Sequence, residues 1–230
     1  MKKVSIFLVI VLLVISHVAC QGNKDTTAKN DTASSQGTIP ANTPLKNDSN
    51  ILIAYFTWAD NTIVANPSSV DVDAATSASV LAPGDTARIA HWIKETVGGD
   101  LFSIKVTDPY SSDYNKCLDR AAEEKAKNTR PELSGSVKNI DAYDVLFLGY
   151  PNWWYSAPMA LFSFLEQHDL SGKTVILFCT HGTGGLARSV RDISAAIPNS
   201  TIIENVFDVF RDDVASAQPN VKKWLTNLGY

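Results

Sequence analysis

The stretch DVLFLGYPNWWYSAP, Asp144–Pro158, decides how this chain is read. A continuous apolar run, Val145-Leu146-Phe147-Leu148, ends at Gly149 and opens into a loop bearing Tyr150, Trp153, Trp154 and Tyr155. A run that short, apolar on both faces, predicts a buried central strand of a parallel sheet. The loop after it then lies at the carboxyl end of the strand, where open α/β sheets bind their ligands. One of the two tryptophans is readily absorbed by a core. Both in one loop, between Pro151 and Pro158, exceed what packing alone requires. Such a surface suits a flat, conjugated ligand.

The flanking sequence alternates in the way a parallel sheet needs. Asn50–Phe56 reads as a first strand, and Thr86–Val97 as a helix with Ile89, Ala90, Ile93 and Val97 on one face. Gly98-Gly99 stops that helix. Asp100–Val106 alternates like a strand, and the polar connection Thr107–Lys138 carries a helix around Asp113–Lys127. The central strand, Tyr143–Gly149, is followed by a helix at Met159–Gln167 and a buried strand at Lys173–Thr180. A helix at Leu186–Ala196, a strand at Thr201–Phe207 and a largely helical end up to Leu228 complete the order. Strands alternating with helices imply a sheet covered on both faces, an α/β fold of three layers. With right-handed crossovers, five parallel strands in the order 2-1-3-4-5 form the expected doubly wound sheet.

Upstream, Lys2 and Lys3 precede an apolar run from Val4 to Ile15, then Ser16-His17-Val18-Ala19-Cys20. This is the layout of a secretory signal, residues 1–19. The run falls short of the roughly 20 apolar residues of a bilayer span. A Cys after a small residue resembles the lipobox of bacterial lipoproteins, which implies that Cys20 is the lipidation site. His17 departs from the apolar residue usual there, and plain secretion is the alternative. Residues 20–49 are rich in Asn, Thr, Ser and Lys without apolar periodicity, and read as a flexible tether. Random-coil scaling gives it a reach on the order of 30 Å. Residues 50–230 make one domain. The expected address is therefore extracytoplasmic, held to the cell membrane only through lipid. The formal charge of −4 becomes more acidic by two when Lys2 and Lys3 leave, and no basic patch invites nucleic acid. Cys117 and Cys179 either pair or remain buried thiols, and their spacing fits no metal motif.

In the 2-1-3-4-5 order the loops after strands one, three and four converge. They carry Thr57-Trp58, then Tyr150–Tyr155, then His181-Gly182-Thr183-Gly184-Gly185. Hydroxyls feeding a helix N-terminus make a phosphate site, because free amides and the helix dipole face outward. The second loop offers aromatic faces, and glycines in the third let backbone approach a ring closely. Together they describe a phosphorylated, planar, aromatic ligand.

These loops are also where a family resemblance lies. From Ile51 to Tyr230 the chain resembles the flavodoxin-like proteins, particularly the small bacterial flavodoxin-type flavoproteins. Their second loop, G-Y-P-x-W-W-x-x-x-P, is matched by Gly149-Tyr150-Pro151-Asn152-Trp153-Trp154-Tyr155-Ser156-Ala157-Pro158. Their third, F-x-T-H-G-x-G, is matched by Phe178-Cys179-Thr180-His181-Gly182-Thr183-Gly184. The resemblance implies flavin mononucleotide (FMN) as cofactor, which fits the ligand description best. Pro151, Asn152, Trp153, Trp154, Thr180, His181, Gly182 and Gly185 are then the expected ring contacts.

The first loop departs from the family's Y-F-S-x-T-G-N-T-x-x-x-A. Tyr55-Phe56-Thr57 match, but Trp58-Ala59-Asp60-Asn61-Thr62 lacks the glycine, and Gly84-Asp85-Thr86 supplies the missing segment only later. An insertion of roughly two dozen residues thus splits the phosphate loop, with Thr57, Trp58, Gly84, Asp85 and Thr86 as its expected ligands. The competing assignment gives the phosphate to Asn61 and Thr62 and makes 63–82 a lid. The inserted loop either covers the flavin or receives a partner, or is simply a surface excursion.

Other residues carry two readings each. His181 is a flavin hydrogen-bond donor or a turn residue. Arg188 and Arg191 attract an anionic partner or are merely solvated. Tyr110 and Tyr114 edge the pocket or pack the core, and Asp60, Asp71, Asp73 and Asp85 suggest a cation site but are scattered in a polar loop and most simply solvated. No side-chain nucleophile is indicated, so a flavin would supply the chemistry. The leading expectation is an FMN-binding protein for electron transfer or flavin-dependent oxidoreduction, with NAD(P)H, a quinone or a protein as redox partner. The rival is a tethered flavodoxin-fold binding module that has lost FMN.

Overall fold

In the computed structural model, residues 49–230 are described. Cys20, the signal segment 1–19 and the tether up to residue 48 lie outside the described residues. The first strand, β1 (Ile51–Tyr55), is buried at all five positions, as its unbroken apolar run requires. It is followed by α1 (Asp85–Val97), β2 (Asp100–Ser103), α2 (Tyr114–Ala126) and β3 (Val145–Pro151). Then come α3 (Met159–Gln167), β4 (Thr174–His181), α4 (Ser189–Ala196), β5 (Thr201–Ile202), β6 (Phe207–Phe210) and α5 (Gln218–Asn227). All ladders are parallel, in the order β2-β1-β3-β4-β5, with β6 also on β4. The expected 2-1-3-4-5 order is observed.

Alternation along each strand sorts the two faces. Leu52, Ala54, Leu146, Leu148 and Leu177 pack with Cys117 of α2, Leu161 and Phe164 of α3, and Ile193 of α4. Ile53, Tyr55, Phe147, Ile176 and Phe178 pack instead with Ile89 and Ile93 of α1 and Val221, Trp224 and Leu225 of α5. Each fully buried aliphatic side chain stabilises by roughly 1.5–3 kcal/mol. At the centre, Gly149 and Phe178 are paired across β3 and β4. A Cβ on Gly149 would lie 2.1 Å from the Phe178 ring, so the ring lies over bare backbone and the position excludes any side chain.

Three expected elements differ. The strand expected at Thr201–Phe207 is split: β5 pairs only with Thr174–Val175, and β6 continues to Phe210 alongside Phe178–His181. Between them the polar Glu204-Asn205 leave the ladder, where an apolar strand position would bury them, and the Asn205 carbonyl accepts the Trp224 Nε1–H at 2.9 Å. The second strand ends at Ser103, not Val106, because the chain turns to the 132–134 segment, where Val106 bridges Leu133. Helix α4 starts at Ser189, not Leu186, because Ala187 adopts a positive φ of 45°. Cys117 and Cys179 are both buried and free, so the paired alternative is not realised. Burial pushes the Cys117 thiol up to about 12, against the pull of Arg120.

The insertion between β1 and α1 is not a loose excursion. Ala74 and Val80 are buried to 0 % and 1 % exposure in the main core, while Ile63 and Val72 face solvent. Two buried anchors fix where the returning chain meets α1.

Candidate functional site

The carboxyl ends of β1, β3, β4 and β6 surround a cavity of about 320 Å³ at the switch point. Its first wall is the rejoined loop. Gly84, with φ +78°, lies against Thr57 so closely that a Cβ would sit 2.2 Å from Thr57 Oγ1. The two ends of the split loop therefore touch, and the insertion leaves and re-enters the fold at one point. The first amides of α1 have no partner within the helix and point outward from its positive end. The Thr86 hydroxyl lies 2.9 Å from that of Thr180, tying this helix end to β4. Thr57 and Thr86 are each 2 % exposed and both line the cavity. Among the described residues the buried Trp58 Nε1–H, on the same wall, has no acceptor. A buried N–H with nothing to bind, beside the Thr57 and Thr86 hydroxyls, fits a ligand rich in acceptor atoms.

The competing residues are committed elsewhere. The Asn61 amide donates to the carbonyls of Thr57 and Ile104 and its Oδ1 accepts from the Val106 amide. The Thr62 hydroxyl donates to the Tyr110 carbonyl at 2.8 Å. Neither residue lines the cavity. Asp85 does, and burial raises its carboxyl pKa, with Ser79 and Arg88 opposing.

The second wall separates the two tryptophans. Trp153 packs edge-on against Phe56 and Tyr110, each with ring centroids 5.3 Å away, and against Trp58 at 6.4 Å. Behind it, the Tyr110 hydroxyl donates to Glu124 at 2.8 Å and Arg120 lies 4.1 Å over the ring. Tyr110 is therefore a core residue, whereas Tyr114 reaches the cavity. Trp154 and Tyr155, in contrast, are 41 % and 64 % exposed. They occupy the centre of a tight turn in which Trp153 and Ser156 exchange backbone hydrogen bonds of 2.8 and 3.1 Å. Both have positive φ, 51° and 63°, the pattern of a type I′ turn that ordinarily takes Asn-Gly. Bulky residues there cost roughly 1–2 kcal/mol each. The strain displays two aromatic side chains at the cavity mouth, where functional loops concentrate such outliers.

The third wall is the glycine loop. Thr180, His181, Gly182, Thr183 and Gly184 line the cavity, with Pro151 and Asn152 beside them, Pro151 paired with Thr180 and the Asn152 amide donating to the Thr180 carbonyl at 2.8 Å. Gly185 does not; its carbonyl accepts from the Asn152 side-chain amide and so joins the two loops. Gly84 also stands behind the wall, against Thr57. His181 has both ring nitrogens engaged, Nδ1 with the Gly182 carbonyl at 2.7 Å and Nε2 with Asp208 at 2.9 Å. Its ring shapes the loop and offers no free nitrogen to the cavity.

Sequence reasoning missed Ser79, Tyr155, Arg211 and the α2 wall of Cys117, Leu118 and Ala121. Tyr155 was signalled by its place in the W-W-Y run; the others reach the cavity from distant elements. Arg188 and Arg191 both pair with Asp192. Among the described residues no group of three or more His, Cys, Asp or Glu side chains stands close enough to hold a metal ion, and no helix is long and apolar enough to cross a membrane.

Fold and cavity place the chain among doubly wound α/β proteins built around a switch-point site. Residues 74–228 match the family model described as Flavodoxin, and the chain belongs to the flavodoxin family. Its structure is similar to a putative flavoprotein from Bacteroides eggerthii, at 29% identity and TM-score 0.59, covering 80% of this chain and 99% of that one. A putative flavoprotein from Bacteroides uniformis is similar at 24% identity and TM-score 0.58, covering 77% and 98%. A flavoprotein from Lactobacillus acidophilus, solved in complex with FMN, shares the fold at 22% identity and TM-score 0.53, covering 77% and 99%. No curated protein matches the sequence.

Proposed function

We propose that the cavity binds FMN and that the chain serves electron transfer or flavin-dependent oxidoreduction at the outer face of a membrane. The observation that carries this reading is the pairing of two buried threonines at a helix N-terminus with a strained aromatic turn across one cavity. Family membership supports it, and the similarly folded Lactobacillus protein is solved with FMN. Bound flavin supplies one- or two-electron chemistry that no side chain here provides. Thr57, Thr86 and the first amides of α1 would take the phosphate. Trp154 and Tyr155 would offer faces to the ring and exclude water from it, while Asn152, Thr180 and Gly182 line the opposite side. The contact between Thr57 and Gly84 favours this reading over a module that has lost its cofactor, because the interrupted loop is whole again in space. The test is direct. The purified chain should be yellow, or take up added FMN with quenching of flavin fluorescence; a colourless chain that binds none defeats the reading. Reduction of the bound flavin by NADH or NADPH would make the chain an enzyme in its own right, and reduction only by a quinol or a protein would make it a carrier.

The address follows from Cys20. Lipid on that residue, with the tether after it, would hold the domain near the membrane surface. One acyl chain binds marginally, so anchoring draws on the several chains that lipoprotein processing adds. Cys20→Ser should move the protein from the membrane to the soluble fraction with its flavin content unchanged. A Ser variant that stays with membranes as fully as the wild type would exclude lipid anchoring.

Asp85 gives a pH prediction. Its folded pKa is raised by burial, so the folded chain holds a proton that the unfolded chain has already released. The stability this gives is present below the unfolded pKa and is lost as pH rises through the folded one. Asp85→Asn should flatten the Tm profile across that acidic window and leave the variant the more stable at neutral pH. It should also tighten FMN binding, by removing a carboxylate from the phosphate's surroundings. Equal profiles for the two proteins would show that Asp85 is fully solvated.

A further inference from the structure

The insertion between β1 and α1 has no place in the family's phosphate loop, yet it ends against that loop. Ala74 and Val80 pin it in the core, at 0 % and 1 % exposure. Between them the chain reaches Ser79, a non-glycine residue held at φ +58°. The Ser79 hydroxyl accepts the Asp85 N–H at 2.7 Å, at the first residue of α1. It lines the same cavity as Thr57 and Thr86. We propose that Ser79, delivered by the insertion, is a phosphate-binding residue of this site and completes with Thr57 and Thr86 a cradle of three hydroxyls.

The chemistry rests on what a hydroxyl offers. Oxygen accepts from Asp85 and the proton remains a donor. In this structure that proton lies beside the Asp85 carboxylate, whose pKa it lowers, and it is the group able to turn to a phosphate oxygen. The family's loop carries Asn where this chain has Asp85, so one neutral donor is replaced by an anion. A hydroxyl from the insertion restores a donor at the point where the substitution removes it. The unpartnered Nε1–H of Trp58, a residue only 2 % exposed on the same wall, marks the place as one that awaits an acceptor. A hydrogen bond to a charged group is stronger than one between neutral groups. The insertion is thus part of the binding site and not a lid over it.

This inference rests on the FMN reading, and the experiment separates the two. FMN and riboflavin, which lacks the phosphate, are titrated against the full chain, Ser79→Ala and Ser79→Gly, with Tm recorded for each. Loss of a hydrogen bond to a charged group predicts FMN affinity lower by roughly tenfold or more in both variants, with riboflavin affinity unchanged. Ser79→Gly relaxes the positive φ, so its Tm should not fall below that of Ser79→Ala, and it keeps the test informative if the alanine variant folds poorly. Unchanged FMN affinity in the glycine variant overturns the inference and leaves FMN binding standing. Equal losses for FMN and riboflavin also overturn it, because Ser79 would then only cap the helix. A wild-type chain that binds neither flavin defeats the FMN reading and this inference with it.

Discussion

Gly84→Val is expected to abolish detectable FMN binding. The glycine has φ +78°, where a β-branched residue is a steric outlier, and its added Cβ would meet Thr57 Oγ1 at 2.2 Å and the Ala59 side chain at 3.0 Å. Backbone strain of this kind costs roughly 1–3 kcal/mol, and the clash adds to it, since Thr57 is buried and has little room to yield. Displacing Thr57 also opens the cradle, so affinity should fall at least about a hundredfold, near 2.7 kcal/mol. Thr62→Val makes the matched comparison. That hydroxyl donates to the Tyr110 carbonyl and stands outside the cavity, so its loss should cost about 1 kcal/mol of stability and leave FMN binding intact. Titration of both variants, with denaturant unfolding alongside, checks the ranking. The reverse order would place the phosphate beside Asn61 and Thr62.

Trp153→Ala and Trp154→Ala are expected to fail in different ways. Trp153 stands edge-on to Phe56, Trp58 and Tyr110, so its removal leaves a cavity in an aromatic cluster and should destabilise the fold by about 3 kcal/mol or more. Trp154 is 41 % exposed and already strained, so its replacement should change stability by less than about 1 kcal/mol. The same change should weaken FMN binding by about 1 kcal/mol, the typical contribution of an aromatic pair. Chemical denaturation and flavin titration on both variants separate the two roles. If Trp154→Ala leaves FMN affinity untouched, the exposed aromatic of the turn is not a ring contact and Tyr155 becomes the residue to test.

The order of elements and the convergence of three loops were legible in the sequence because they rest on local signals. Short apolar runs, such as Ile51–Tyr55 and Val175–Cys179, and the 3.6-residue spacing of Ile89, Ala90 and Ile93 leave few alternatives for a parallel sheet. The sequence determined equally that the phosphate loop is interrupted, since its halves are recognisable on either side of the insertion. Tertiary structure alone decided what the interruption contains. That Gly84 closes on Thr57, that Ser79 meets the first amide of α1, and that Arg211 reaches the cavity from the end of β6 are contacts between residues remote in sequence. Nothing local encodes them, because each depends on how separate elements pack. The two adjacent tryptophans show the same division within one dipeptide. Sequence announces a pair of large aromatics after a buried strand, but the positive φ of Trp154 sends neighbouring side chains in different directions. Trp153 packs against the core while lining the cavity, as expected of a ligand contact, and Trp154 faces the cavity mouth, because backbone conformation, not residue type, sets where each ring points.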